Sequence, residues 1–364
     1  MGGRTNLSTM FKKGKLVILL VLVLIVLLGY IFRGQLKEFI LNRIVTDNDS
    51  EVELYVVKEQ GLEGLKKQLI NEHIIKSEFF FDRMASMKNF SAGKIATGKY
   101  IIASKTPIRN LINGFTENAQ GNGNAEVEVI VSFDNCKTIG DMCGKVSKSL
   151  MCDSSELMEY ISGEEVLSKY GFTSQQLPAL FIPDSYRFFW DTDPKHFVAR
   201  MAREFKEFWN DARKEKMNAL GYSSPSQVVT LASIVYGEQS IVPVEWPVIA
   251  RLYMNRLKIG MKLQSDPTFK FCWGNQLDGV QVLNYVHRDI DCPYNTYKYA
   301  GLPPGPINFP PAGVVDAVLN PDQNNYLYMC AKPDFTYTHN FSKDYAVHQK
   351  YAEAYQKWIK SIQK

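Results

Sequence analysis

No stretch of this 364-residue chain holds enough lysine and arginine in succession to grip a phosphate backbone, and the net charge is only +4. Nucleic acid is excluded as a partner on that ground. Metal-ligand spacing is missing too. Cys136, Cys143 and Cys152 are scattered, and Cys272, Cys292 and Cys330 lie far from them, so no metal site is indicated. No lysine stands beside a recognisable phosphate cradle, so pyridoxal chemistry has no foothold and no cofactor is implied. No small-x-small cleavage site follows the one long apolar run, which argues against a removable signal peptide.

What is present begins with that run. Leu16–Phe32 (LVILLVLVLIVLLGYIF) has no charge and a single Gly. As a helix it spans roughly 26 Å at about 1.5 Å per residue, near the lower limit for a bilayer. Arg4, Lys12, Lys13 and Lys15 precede it without an acidic neighbour, which orients the N-terminus toward the cytoplasm. The expectation is a cytoplasmic tail at 1–15, a single-pass transmembrane anchor at 16–32 and a polar connector at 33–50. The bulk of the chain then lies outside the cytoplasm, where its cysteines can oxidise. At 45% hydrophobic residues the remainder can bury a core, and its length suggests two domains.

Val52–Val57 (VELYVV) reads as a strand by its β-branched content. Gly61–His73 carries Leu62, Leu65 and Leu69 at helical spacing, Lys76–Met87 reads as a second helix, and Gly98–Ala103 as a second strand. The order is β-α-α-β. A further helical pattern (TPIRNLINGF) follows. Beyond a Gly/Asn-rich loop at Glu117–Glu126, a strand at Val127–Phe133 and helices at Thr138–Leu150 and Ser154–Ser162 loosely echo the first block. The two blocks are placed together as an α+β module over 51–165, without a catalytic constellation. From about Lys169 aromatics and prolines grow denser, and a second domain is placed at 166–364. In it Asp193–Met217 reads as one long amphipathic helix, NNYLYMCA and TYTHNFS as a late β pair, and the C-terminus as a closing helix. The expected fold class is α+β.

One helix carries a chemical signal. Ser224 as N-cap, Pro225 as first helical residue and Gln227 as capping-box partner start it. It runs through VVTLASIVYGE, where Leu231, Val235 and Glu238 share a face at i, i+4 and i+7. Glu238 thus extends an apolar stripe at the helix C-terminus. Burial and the negative helix end both push a carboxyl pKa upward there, which keeps a general acid protonated. A structural ion pair is the competing reading. Pro247–Ile259 reads as a second helix, and MKLQSDPT as a short strand followed by a turn that Asp266-Pro267 opens. The Asn-, Tyr- and Pro-rich loops beyond suit a groove for a polar, extended ligand.

At these residues a resemblance becomes specific. FIPDSYRF, LASIVYGE, LYMNRLKIGMKLQSDPT, YNTYKYAGLPPGPI and THNFS occur in this order between Phe181 and His348. The series resembles the motifs of the endolytic murein transglycosylases, the YceG-like family. The β-α-α-β segment is similar to the LysM-like module upstream in that family, and the N-terminal anchor agrees with it. Two positions depart. The family commonly has E-x-E in the helix, where this chain has Tyr236 before Glu238, and often Glu-Gly where this chain has Pro178 and Ala179.

The resemblance implies a lyase that cleaves the MurNAc–GlcNAc β-1,4 bond of peptidoglycan strands without water, leaving a 1,6-anhydro-MurNAc end. It implies an inner (cytoplasmic) membrane enzyme with its bulk on the periplasmic side and cell-wall synthesis proteins as candidate partners. It makes Glu238 the catalytic residue and Gln264, Asp266, Asn295, Tyr297, His339 and Asn340 the substrate-binding candidates. Each of these has a structural alternative: Asp266 capping its turn, Tyr297 in the core, Asn295 fixing a loop, His339 bonding a backbone carbonyl. Glu245 also matches a family position and is expected to serve a helix dipole. Cys272 and Cys292 fall in segments that flank the family's groove, which makes a disulfide between them one candidate pairing, while the sequence leaves the connectivity of the six cysteines open. A non-catalytic peptidoglycan-binding membrane protein of the same fold is the alternative that the two departures keep open.

Overall fold

The computed structural model describes residues 7–31, 33–34, 43–116, 126–277, 280 and 285–362, with side chains from residue 18 onward except residue 20. The chain divides into two compact units. One comprises Met1–Glu128 and Phe189–Asp191, the other Val129–Phe188 and Thr192–Lys364. The boundary expected near 165 therefore lies inside the second unit.

The first unit opens with α1 (Leu7–Ile31). Its described side chains from Ile18 to Ile31 are exposed. Among the described residues no helix is long and apolar enough to cross a membrane. The spanning helix expected over Leu16–Phe32 is thus not confirmed, and Phe32 itself lies outside the described residues. The rest of the unit is β1 (Val52–Val56), α2 (Gly61–Asn71), α3 (Glu78–Lys88), β2 (Gly98–Ile102) and α4 (Ile108–Gly114), in the order expected. β1 and β2 pair antiparallel, from Val52↔Ile102 to Val56↔Gly98. Alternation turns Leu54, Val56, Tyr100 and Ile102 inward, against Leu65 and Leu69 of α2 and Phe81 of α3. The Lys66 ammonium joins α2 to α3, with Glu63 at 2.9 Å, Glu78 at 3.4 Å and Asp82 at 3.1 Å. The end of the expected connector belongs to this unit: Val45 bridges Pro107, and the buried Asn48 donates to Ile102 O at 3.1 Å. The Gly/Asn-rich loop falls at 117–125, outside the described residues, up to Glu126.

The second unit holds β3 (Glu128–Ser132), α5 (Ile139–Val146), α6 (Ser154–Ser162), α7 (Glu164–Tyr170) and β4 (Ser185–Phe189). β3 and β4 form a two-stranded sheet, so the echo of the first block is again two strands closing around helices. β4 was not foreseen. α8 (Pro194–Phe208) and α9 (Asp211–Ala219) follow. They replace the single helix expected over Asp193–Met217. The break has a local and a tertiary side: Asn210 is the N-cap of α9, its Oδ1 accepting from Arg213 N at 3.1 Å, and burial of the Trp209 before it fixes the chain there. Phe133, Phe181, Phe188 and Phe197 centre one core.

A second core gathers α10 (Pro225–Glu238), α11 (Trp246–Lys258) and, beyond α12 (Asp266–Trp273) and the short α13 (Tyr285–Arg288), α14 (Ala312–Leu319). β5 (Tyr328–Ala331) and β6 (His339–Ser342) pair antiparallel as expected, and α15 (Tyr345–Ile362) closes the chain. Two starts differ from expectation. Ser224 is the N-cap of α10 but makes no side-chain cap bond; Gln227 Oε1 accepts instead from Ser223 N and Oγ at 2.9 and 3.1 Å. Residues 261–265 form no strand, and Asp266-Pro267 opens α12 rather than a free turn. Pro suits that position because the first helical N–H groups have no intrahelical partner.

Candidate active site

Glu238 is the last residue of α10, and the face leading to it is apolar: Leu231 and Val235 are fully buried. The residue as a whole is half-buried, so its carboxyl stands at an opening rather than in a sealed core. Oε1 accepts two hydrogen bonds, from Tyr253 OH at 2.7 Å and from Ser265 Oγ at 2.5 Å. Among the described residues none reaches Oε2. Burial raises the carboxyl pKa above its ordinary value. The Ser265 and Tyr253 hydrogen bonds pull it back, the Asp266 charge adds to the rise, and His339 opposes it. The outcome is a carboxyl biased toward its protonated form, with Oε2 as the oxygen left to carry the proton.

The second wall is the segment Leu263–Asp266. Arg256 of α11, itself buried, donates to Leu263 O and, at 2.6 Å, to Leu327 O, which ties the segment to the residue before β5. Ser265 is fully buried; its N–H donates to Thr296 Oγ1 at 3.0 Å. Thr268 Oγ1 lies 2.8 Å from Thr296 Oγ1 and donates to Ser265 O at 2.6 Å. Asp266 follows, with Oδ1 accepting from Tyr297 OH at 2.5 Å. Two helices therefore meet at the site, the end of α10 and the start of α12, and Gly237 lets them meet. A Cβ there would stand 2.8 Å from Pro267 Cβ.

The third wall is a carboxylate-centred network. Glu245 stands at the N-cap of α11, and its side chain makes no capping bond to that helix. Its Oε1 accepts from His339 N at 2.8 Å, and its Oε2 lies 2.7 Å from His339 Nδ1. Oε2 also accepts from Gln239 Nε2 at 2.9 Å. A carboxylate only accepts, so the Nδ1 proton faces Glu245 and Nε2 is left for solvent or ligand. The buried Gln239 is fully used: Nε2 also donates to Tyr337 O at 2.8 Å, and Oε1 takes Ile241 N and Val242 N at 3.0 Å each.

Among the sequence candidates, Glu238, Asp266, Tyr297 and His339 converge on this region. Gln264 is exposed beside it, with a left-handed φ of 48°. Asn295 does not face it. That side chain is buried, its Nδ2 donates to Arg288 O and Ile290 O at 2.8 Å each, and its Oδ1 accepts from Tyr297 N at 3.0 Å. It holds the loop and has no donor to spare for a sugar. Asn340 pairs with Cys330 in the hairpin and, next to His339 on β6, points to the opposite face. Cys272 and Cys292 are bonded, with a Cα separation of 6.2 Å. The family-position Tyr236 donates to Asn135 Oδ1 at 3.0 Å. Among the described residues no cluster of His, Cys, Asp or Glu fits a metal ion.

A model of the YceG-like family matches residues 54–354. The chain belongs to the YceG-like family. Relatives of this YceG-like chain include the endolytic murein transglycosylase of Bacillus subtilis (strain 168), 34% identical over 166 residues, which are 45% of this chain and 44% of the relative. The endolytic murein transglycosylase of Streptococcus pneumoniae R6 is 23% identical over 278 residues, 71% of this chain and 50% of its own. The chain thus spans about half the length of the curated relatives it matches. A crystal structure of a yceG-like protein from Listeria monocytogenes aligns at a TM-score of 0.53 and 20% identity, covering 83% of this chain and 99% of that one. It shares the fold.

Three residues of this YceG-like site escaped sequence reasoning: Tyr253, Ser265 and Gln239. Tyr253 left a signal. Ile249, Tyr253 and Arg256 fall at i, i+4 and i+7 on α11, and all three are buried, so two polar heads sit on one inward face. Ser265 lay between two residues already singled out, and Gln239 next to a third.

Proposed function

We propose that this chain is a lytic transglycosylase of peptidoglycan, with Glu238 acting first as acid and then as base. One observation carries the reading: a carboxyl with a raised pKa, gripped at Oε1 by two hydroxyls and bare at Oε2. A proton on Oε2 passes to the glycosidic oxygen between MurNAc and GlcNAc as the C1–O bond breaks. The C6 hydroxyl oxygen of the same MurNAc attacks C1 and closes the 1,6-anhydro ring, and its proton returns to Glu238. The residue ends as it began and no water is consumed. An intramolecular nucleophile has a high effective concentration, so the second carboxylate of a hydrolytic glycosidase is not needed. The Asp266 carboxylate, held by Tyr297 and close enough for its charge to act on Glu238, is the group to offset oxocarbenium-like charge, and His339 Nε2 is a donor or acceptor for the sugar.

The reading extends to location. The charge-free sequence Leu16–Phe32 behind four basic residues supports a single-pass anchor with the catalytic unit outside the cytoplasm, and the Cys272–Cys292 bond suits an oxidising compartment. A reporter fused after Lys364 is active only outside the cytoplasm on this reading; cytoplasmic activity removes the anchor. The antiparallel β-α-α-β of the first unit supports a LysM-like glycan-binding role.

Glu238→Gln keeps the shape and cannot release a proton. Anhydro-MurNAc ends fall by more than the ~10²–10⁴-fold typical of one proton-transfer role, because both roles are lost. Wild-type yield from a folded Gln variant would place the acid elsewhere, with Asp266 the next to test. A wild-type chain that binds strands and cuts none is the non-catalytic alternative.

A further inference from the structure

Beside Glu238 lies a cleft of about 550 Å³, within the ~300–1,000 Å³ of small-ligand sites. Its lining includes Gly237 and Pro267, the chain neighbours of Glu238 and Asp266, together with Lys137, Lys270, Phe271 and Asn308. The mechanism above uses none of its polar groups.

The charge of the cleft is positive. Asp141, its carboxylate, is spent on the start of α5: Oδ2 accepts from Lys137 N at 3.0 Å and Thr138 N at 2.9 Å. Lys270, in the last turn of α12, is exposed and forms no ion pair among the described residues. An acceptor is also left over. Asn308 Nδ2 donates to Ser233 O at 2.8 Å, which fixes the amide's orientation. Its Oδ1 is buried with no partner among the described residues, a cost unless a donor arrives. A wall with a free ammonium, an unused carbonyl and an apolar ring matches a peptide carrying carboxylates and N–H groups. The ammonium, unpaired among the described residues, is the feature that favours such a peptide over a neutral sugar.

We propose that this cleft takes the acidic peptide stem carried by the MurNAc that reacts at Glu238. This rests on the transglycosylase reading. The stem leaves the sugar at its lactyl ether, next to the ring whose C1 is attacked, and the backbone step from Glu238 to Gly237 is the step from sugar site to stem site. Lys270 pairs with a stem carboxylate and Asn308 Oδ1 accepts a stem N–H. The enzyme therefore prefers stem-bearing strands to stripped ones.

The test compares kcat/KM of the full chain in detergent on intact glycan strands and on strands stripped of stems by an amidase, reading anhydro ends. Lys270→Ala lowers the intact-to-stripped ratio about tenfold, the size of one charge-assisted hydrogen bond. Lys270→Glu lowers it further and Lys270→Arg restores it. An unchanged ratio, or equal loss on both substrates, in an active enzyme overturns the stem site alone. No anhydro ends from the wild type on either substrate overturns the transglycosylase reading and this inference with it.

Discussion

Both hydrogen bonds to Glu238 fall on one oxygen, and that asymmetry assigns different work to the two oxygens. In the proposed mechanism Oε1 is the held oxygen and Oε2 the one that delivers the proton. Hydrogen bonds to the charged form lower a carboxyl pKa, so removing a donor raises it further. Ser265→Ala therefore moves the alkaline limb of the pH–rate profile to higher pH. It also lowers kcat by roughly tenfold, the size of one hydrogen bond to a charged group. Tyr253→Phe does the same with a larger packing change, since Tyr253 is fully buried. A limb that stays put in Ser265→Ala shows that the hydroxyl does not bear on the proton. Glu238 was legible in the sequence because a lone carboxylate on an apolar stripe is a costly placement. That Tyr253 and Ser265 are its partners was not legible, because each comes from a different segment, 15 and 27 residues on. Asn295 is the converse case: an Asn in a polar loop motif suits a sugar ligand or a loop brace, and its three hydrogen bonds to backbone favour the brace.

At the scale of elements, the site depends on how closely α10 and α12 approach, and Gly237 sets that distance; Gly305 sets another close approach in the same unit. Gly237→Ala puts a Cβ 2.8 Å from the Pro267 ring, so the start of α12 has to move and Ser265 with it. A cost of about 1–3 kcal/mol is typical of such overpacking. Activity falls more than stability does, because a shift of Ser265 misplaces the acid. Gly305→Ala is harsher: its Cβ would lie 1.9 Å from the backbone oxygen of Gln175, which has no rotamer to escape into. Thermal midpoints and anhydro-end yields of the two variants separate the effects. Equal activity of Gly237→Ala and wild type would show that α12 is free to adjust. Helices with strong local signals, such as α6 from Ser154, were readable to the residue, since Asp153 caps them locally. The break between α8 and α9 and the irregular 261–265 segment were not. The first turns on a buried Trp209, the second on the Arg256 bond to Leu263 O, and both are tertiary facts that override local propensity.

For the whole molecule, the division at Glu128 rather than near 165 follows from β3 pairing with β4, strands separated in sequence by three helices. The change in composition at Lys169 marks aromatic packing in one core, not a domain edge. Each unit then carries its own raised carboxyl. Glu126, in the first unit, packs over Gly98 of β2, with Oε1 buried and no partner among the described residues. Burial, with the Asp191 charge added, pushes its pKa from 4.5 to about 7. Glu238, in the second unit, is raised mainly by burial. For a carboxyl raised on folding, the native state holds more protons than the unfolded state between the two pKa values. Stability therefore falls as pH rises through that window. For Glu126 the loss runs from pH 4.5 to about 7 and is complete above. A neutral amide of the same shape escapes it. Glu126→Gln raises the melting midpoint of the first unit at pH 8 and leaves it unchanged at pH 4, where the wild-type carboxyl is protonated in both states. Glu238→Gln acts with the same sign on the second unit. Calorimetry of the wild type and both variants at pH 4 and pH 8 reads the two transitions. A lower first-unit midpoint for Glu126→Gln at pH 8 would mean that the folded state uses the Glu126 charge.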